Sequence, residues 1–226
     1  MNFFKTILSL VIPVTCLHCG LTGEIICGRC RGKFTTSPLL KAQLISLGRE
    51  EPSIASLLPY SESVSRIIIG AKDDGNRELE SIVIEALLAA RSFFPKNLLL
   101  IPIPSTSRAR MKRGRDFTFD IARALAKETG DQIMTALHYT RSVAPQKTLN
   151  AQERLANMHG ALSSREFRHI DSGRKVGRAA LLLDDVLTTG ATIHEGMRAM
   201  RAVGRPCLGA ITAAFSLNWS QDQPRR

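Results

Sequence analysis

The sequence predicts an α/β protein, an open and mostly parallel sheet flanked by helices, with a small cysteine-rich module in front of it. Three observations predict this. Short apolar runs alternate with stretches of helical periodicity, as in strand–helix units that feed a parallel sheet. One such unit, residues 180–204, carries two acids and a hydroxyl-rich turn between its strand and its helix. Four of the five cysteines fall within residues 16–30. The chain of 226 residues is long enough for one such domain and an appendage, and 44% apolar residues supply a core. The expected division is a cysteine module within residues 1–50, the α/β domain over 51–216 and a flexible tail over 217–226.

The N-terminal stretch, residues 1–16, looks superficially like a secretion signal ending at a cysteine. Only Lys5 is charged, and Thr15 and Pro13 are poor residues at the −1 and −3 positions of a cleavage site. The apolar run is too short to span a bilayer. A short amphipathic helix ending before Pro13 is expected, with a targeting signal as the alternative. On the first reading the protein is cytoplasmic, without stable membrane insertion.

Cys16 and Cys19 form one Cys-x-x-Cys pair, and Cys27 and Cys30 form another. Each pair can make a knuckle with both thiolates aimed at one ion, and two facing knuckles complete a tetrahedral S₄ site for Zn²⁺. Gly20 and Gly28 permit the tight backbone this needs. A redox pair or disulfides are the rival readings, although a redox pair normally opens a helix after a strand. His18 is a substitute ligand or a bystander. A closed Cys₄ site is structural and folds a module with little core of its own. Cys207 stands alone in a predicted strand as a small buried hydrophobe.

In the middle of the chain, Leu39, Leu40, Leu44 and Leu47 suggest a short helix. Residues 52–60 read as a strand, 63–72 as a helix that Lys72-Asp73-Asp74-Gly75 breaks, and 77–94 as a second helix. Residues 98–103 are an apolar strand. After it come Ser105, Thr106 and Ser107, then Arg108, Arg110, Lys112, Arg113 and Arg115. A cation-rich turn at the carboxyl end of a parallel strand suits a diphosphate. A solvated basic loop or a nucleic-acid patch is the alternative. Residues 117–127 resume as a helix and 133–139 as a strand. The polar stretch 140–160 reads as a mobile lid that brings Arg141, Lys147 and Arg154 to a bound anion, or as a plain surface loop. Residues 171–178 look like a hairpin or basic turn, 206–215 like the final strand, and 216–226 like a frayed tail.

Residues 179–183 open the most informative unit as a buried strand. Asp184 and Asp185 follow, then Thr188, Thr189, Gly190, Ala191 and Thr192, then a helix marked by Ile193, Met197, Met200 and Val203. Backbone N–H groups of such a turn and the helix N-terminus form an anion site, to which the threonine hydroxyls add donors. The acids lie too close to that site to hold the phosphate themselves. They suit the vicinal hydroxyls of a ribose, with Mg²⁺ nearby. A ribose 5-phosphate fits both halves. The bland alternative is an ordinary threonine-rich strand–turn–helix.

Every constrained position of residues 184–192 matches the 5-phosphoribosyl 1-diphosphate (PRPP) motif, so the unit resembles type I phosphoribosyltransferases. From about Cys16 to Ala214 the chain resembles the ComF (ComFC-like) family of phosphoribosyltransferase-like proteins. The residues behind this are the cysteine module, Val64-Ser65-Arg66-Ile67-Ile68, Arg77-Glu78-Leu79, Pro102-Ile103-Pro104, Arg113-Gly114, Gln146 with Leu149, Arg154 with Asn157, and the PRPP motif. Many members follow Arg-Gly with an aromatic residue, Asn and Gln. Here Arg115-Asp116-Phe117 stands instead, so those contacts do not carry over. Many members also have a second, longer cysteine module, which is missing here.

The resemblance implies a type I phosphoribosyltransferase fold that binds PRPP with Mg²⁺, either as an active glycosyltransferase of open acceptor or as a binding protein. Asp184 and Asp185 would take the ribose hydroxyls, Thr188 to Thr192 the 5′-phosphate, and Ser105 to Arg108 the diphosphate. It also implies a role in uptake of single-stranded DNA during natural competence, with which the net charge of +11 is compatible. Only 5% aromatic residues leave few platforms for base stacking. A zinc-stabilised scaffold is the third reading, against which the intact acid pair argues.

Overall fold

The structure, a computed structural model, describes residues 13–35, 43–45, 52–144, 150–164 and 178–216. In chain order it runs α1 (Gly28–Thr35), β1 (Gln43–Ile45), β2 (Ile54–Pro59), α2 (Glu62–Lys72), α3 (Arg77–Arg91), β3 (Leu99–Pro102), α4 (Ser107–Arg113) and α5 (Phe117–Thr129). It continues through β4 (Gln132–Ile133), β5 (Leu137–Tyr139), α6 (Ala151–Met158), β6 (Leu162–Ser164), β7 (Ala180–Leu187), α7 (Ala191–Ala202) and β8 (Cys207–Phe215). Six strands form one sheet in the order β1-β2-β8-β7-β3-β4, and β5 with β6 makes a separate ribbon. Every pairing in the large sheet is parallel except β1 with β2.

The central strand β7 is apolar on both sides because both faces of the sheet are covered. Leu181 and Leu183 join a core with α2, α3 and α5. Ala180 and Leu182 join a second core with α7, Met158 of α6, and Leu137 and Leu162 of the ribbon. Each fully buried leucine contributes roughly 1.5–3 kcal/mol. Local signals set the helix ends. The Ser61 hydroxyl accepts from the Val64 amide and Asn76 from the amides of Glu78 and Leu79, while left-handed Gly114 and Gly130 close α4 and α5. At Gly196 of α7 a Cβ would lie 2.9 Å from Ile103 and 3.1 Å from Leu182, so the missing side chain lets α7 lie against β3 and β7.

The cysteine module packs onto the α/β body. Cys16, Ile26, Cys27, Cys30 and Phe34 are buried in the same core as α2 and α3. Arg31 pairs with Glu85 and donates to the Ser81 hydroxyl at 2.9 Å, and the His18 ring bonds the Ser63 hydroxyl at 3.0 Å.

Four expectations change. Leu44 lies in β1, not in a helix, because antiparallel pairing with β2 overrides local propensity; Leu39, Leu40 and Leu47 lie outside the described residues. Residues 133–139 are not one strand: Ile133 ends the edge strand of the large sheet and Leu137 starts the ribbon. Their apolar character is alike, and only the packing partners differ. The arginine-rich segment is helix α4, with the Thr106 hydroxyl accepting from Ala109 at its start. The stretch 140–160 contains α6, opened by a capping box in which Asn150 and Glu153 serve each other's amides. The expected N-terminal helix before Pro13, the basic turn over 171–177 and the tail after Ser216 also lie outside the described residues.

Candidate ligand site at the carboxyl edge of the sheet

Strands β3 and β7 are neighbours, yet the chain leaves them in opposite senses. After β3 it passes over the first core through α5 to the outer strand β4. After β7 it passes over the second core through α7 to β8. Their carboxyl ends form a topological switch point, where open α/β sheets leave a crevice for a ligand. The sequence motifs converge there. Pro102 is in register with Leu183, so the residues after β3 emerge beside Asp184.

Asp184 and Asp185 are in β7 itself, and successive side chains of a strand leave it on opposite sides. The Asp184 carboxylate accepts from the Asp185 amide at 2.9 Å, and Asp185 accepts from the Val186 amide at 3.0 Å. The other Asp185 oxygen, Oδ2, accepts from the ammonium of Lys72, the last residue of α2. Burial raises the Asp184 acid well above the usual carboxylate range, and the Asp185 charge adds to this. Burial acts the same way on Asp185, but the Lys72 ammonium outweighs it and brings that acid below its usual range. Burial pulls Lys72 downward, and the Asp185 charge more than reverses the effect. The pair is thus polarised, with Asp185 the stronger acid and Asp184 the weaker.

The turn after β7 holds Thr188, Thr189 and Thr192 half-buried and Gly190 and Ala191 buried. Gly190 adopts a left-handed φ of 70°, and its carbonyl accepts from the His194 amide at 2.8 Å in the first turn of α7. The N-cap of α7 is Gly190, which has no side chain of its own to serve the first helix amides. Helix N–H groups behind a tight glycine turn make a cradle for an anion.

On the β3 side, Ser105 donates from its amide and hydroxyl to Asp116 at 3.3 and 3.1 Å, and Thr106 caps α4. Ser107 and Arg108 are exposed. The cations of α4 and of the turn after it divide. Arg108, Arg110 and Lys112 point to solvent. Arg113 pairs with Asp73 at 2.7 Å, and Arg115 pairs with Glu80 at 2.9 Å and donates to the Ala71 carbonyl. Two of the five therefore anchor the segment to α2 and α3. Arg141 donates to the Asn157 and His159 carbonyls and tethers the start of the expected lid to the end of α6, while Lys147 lies outside the described residues.

Sequence reasoning missed three residues at this edge: Lys72, Asp116 and Tyr139. Burial raises the Tyr139 phenol, and the charges of Asp184 and Asp116 add to the effect. In the sequence Lys72 reads only as the first residue of a helix-breaking run. No periodicity links it to an acid 113 positions later.

The four cysteines form the second candidate site. Their sulfurs all lie within 4.8 Å of one another, and Cys19 Sγ is 3.7 Å from Cys27 Sγ. Tetrahedral Zn–S bonds of about 2.3 Å imply S···S separations of about 3.8 Å. The cluster fits that ion, and all five cysteines are unbridged. At Cys16 burial opposes ionisation, yet the Cys19 and Cys27 amides bring the thiol down to about 6. Burial and the neighbouring sulfurs push Cys30 up to about 12. The four cysteines could hold one zinc ion, and His18, turned toward Ser63 and Phe34, is not among them.

No protein-family model matches the sequence, and no curated protein matches it. Among solved structures, similar chains include adenine phosphoribosyltransferases. That of Thermoanaerobacter pseudethanolicus is 17% identical, with 64% of this chain and 82% of that one covered and a TM-score of 0.36. That of Saccharomyces cerevisiae, complexed with an imino-altritol bisphosphate and adenine, is 13% identical, with 66% and 75% covered and a TM-score of 0.35. That of Trypanosoma brucei, in complex with AMP, pyrophosphate and ribose 5-phosphate, is 13% identical, with 87% and 84% covered and a TM-score of 0.37. Superpositions this loose say nothing of the chemistry. No helix among the described residues is long and apolar enough to cross a membrane.

Proposed function

We propose that this chain is a phosphoribosyltransferase-like protein of the ComF type that binds PRPP with Mg²⁺. One observation carries the reading: an acid pair at the carboxyl end of β7, at a switch point, directly followed by a left-handed Gly190 that is the N-cap of α7. Asp184 and Asp185 take the ribose hydroxyls, and Thr188, Thr189, Gly190, Ala191 and Thr192 take the 5′-phosphate. Ser107 and Arg108 meet the diphosphate, with Ser105 and Thr106 shaping the backbone there. Mg²⁺ enters with the diphosphate as part of the ligand. The cysteines hold a structural zinc.

The chemistry this suits is displacement at ribose C1. The C1–O bond to diphosphate breaks, diphosphate leaves with the electron pair, and an acceptor nucleophile forms the new bond to C1. The transition state is oxocarbenium-like and needs positioning and charge neutralisation more than a covalent residue. The acceptor stays open in this proposal.

Titration with Mg²⁺–PRPP tests it: the melting temperature should rise with ligand concentration. Absence of any rise at millimolar PRPP sinks the reading. The second reading, handling of single-stranded DNA, is favoured by the exposed Arg108, Arg110 and Lys112 along α4. It requires binding that falls steeply with salt.

A further inference from the structure

We propose that Lys72 is a positioning residue of this site: its ammonium is a built-in counter-cation that keeps Asp185 an anionic acceptor for a ligand hydroxyl. The inference rests on the ribose-binding reading of the acid pair.

The placement is unusual for a lysine. Lysines are rarely drawn into protein interiors unless paired, and here the Lys72 side chain is 26% exposed against 10% for that of Asp185. Lys72 ends α2, and its Nζ donates to Asp185 Oδ2. The adjoining turn is fixed from outside. Asp73 accepts from Arg113 at 2.7 Å, the Ala71 carbonyl accepts from Arg115 at 2.6 Å, and the Asp73 amide bonds the Ile69 carbonyl at 2.7 Å. Three consecutive residues, 71–73, are thus tied to α4, β7 and α5's lead-in arginine. The ammonium is held in place by more than its own ion pair.

The reason for a cation here is the pair of carboxylates. Two adjacent, poorly hydrated acids resist ionising together. The groups facing Asp185 are Asp184 on β7, Lys72 on α2 and, next to Lys72, Arg113 on α4; beyond them, the charges of Asp184 and Asp116 both act on Tyr139. Among them Lys72 is the cation that donates to the Asp185 carboxylate. With it, Asp185 is charged and its Oδ2 retains a lone pair for a hydroxyl donor. Without it, the two acids compete, and one is protonated and a weaker acceptor. A purely structural bridge between α2 and β7 makes a different prediction, namely lost stability with unchanged ligand affinity.

The experiment measures dissociation constants of ribose 5-phosphate and of Mg²⁺–PRPP for the full chain and for Lys72→Met and Lys72→Arg. Readings run from about pH 6 to about pH 8.5, the range over which a carboxylate freed of its cation titrates when buried. Each variant is compared with the unsubstituted chain at the same pH, so the titration of the ligand's own phosphate cancels. The expected result is a Lys72→Met to wild-type ratio that grows by at least about fivefold toward the acid end, as proton linkage requires. Lys72→Arg should stay near unity throughout, since it keeps the charge. If Lys72→Met does not fold, Lys72→Gln takes its place, keeping a donor but no charge. A flat ratio near unity for the neutral variant, with lowered stability only, overturns the role of Lys72 and leaves ribose binding intact. An unsubstituted chain that binds neither ligand overturns both readings together.

Discussion

Asp184→Asn separates the binding role of the acid pair from its structural role. The Asp184 carboxyl is half-buried beside a charged Asp185, and both burial and that charge raise it well above its usual range. A carboxyl raised in the folded state stabilises the fold fully below its unfolded value and loses that contribution as pH climbs through the folded value. At neutral pH the wild-type chain therefore bears a like-charge cost. It amounts to about 1.4 kcal/mol for every tenfold weakening of the acid, diminished by partial exposure. An asparagine has the same shape and no charge, so the unliganded variant should be at least as stable as wild type at neutral pH. Its stability should also lose the decline toward higher pH. Ligand binding should move the other way. A hydrogen bond to a charged acceptor contributes about 1.5–3 kcal/mol, so Kd should rise roughly 10- to 100-fold. At a ligand concentration of about 100 wild-type Kd the wild-type gain is about 2.7 kcal/mol, and the variant's falls to about 0.4–1.4 kcal/mol. At roughly 2–4 °C per kcal/mol for a chain of this size, a rise of about 5–11 °C shrinks to about 1–6 °C. Differential scanning fluorimetry with and without Mg²⁺–PRPP, repeated across pH, reads both effects. A variant that is clearly less stable without ligand and keeps the full ligand-induced rise refutes the reasoning.

Much of this site is legible in the sequence because its parts are contiguous in the chain. Residues 179–192 announce strand, acids, turn and helix start in order, and β7, the Gly190 turn and α7 follow that order. The cysteine spacing is legible for the same reason: each knuckle is local, and the two lie within fifteen residues. What stays hidden depends on contacts between distant positions. Lys72 reaches Asp185 only because α2 crosses toward the carboxyl edge, and nothing in the run Lys72-Asp73-Asp74-Gly75 reports a partner on β7. The arginine cluster misleads for a related reason. Composition gives five cations, but only packing shows that Arg113 and Arg115 are occupied by Asp73 and Glu80. The split between Ile133 and Leu137 is of the same kind, since two apolar residues four apart can serve different sheets without any change in pattern. The helix α6 is the exception: its Asn150–Glu153 capping box is a local signal, masked in the sequence by the polar residues around it.

Elemental analysis of chain purified without chelator should find one zinc per molecule. Its removal should lower the melting temperature of the whole domain, because Cys16, Cys27 and Cys30 lie in the main core; absence of zinc, or a domain indifferent to its loss, refutes the site. Arg110→Ala with Lys112→Ala should reduce the salt slope of single-stranded DNA binding by roughly one to two units without altering the thermal response to PRPP, read by fluorescence anisotropy and by melting. No change in slope removes α4 as the DNA surface. Arg91→Met tests the bottom of the fold. Arg91 and Asp131 are 6% and 0% exposed, joined through two bonds of 2.6 and 2.8 Å, and Asp131 also accepts from the Leu98 amide and the Thr129 hydroxyl. Burial alone would raise the Asp131 acid, but Arg91 and these donors bring it below its usual range. Its stabilisation is thus present above the unfolded carboxylate value and is lost as pH falls through the lowered folded value. Removing Arg91 strands a buried carboxylate and should cost about 3–5 kcal/mol at neutral pH, with the deficit narrowing as the pH falls and Asp131 takes up a proton. Urea unfolding at neutral and acid pH measures it. A deficit under about 1 kcal/mol, or one equal at both pH values, shows that the pair is not the buried clamp its geometry describes.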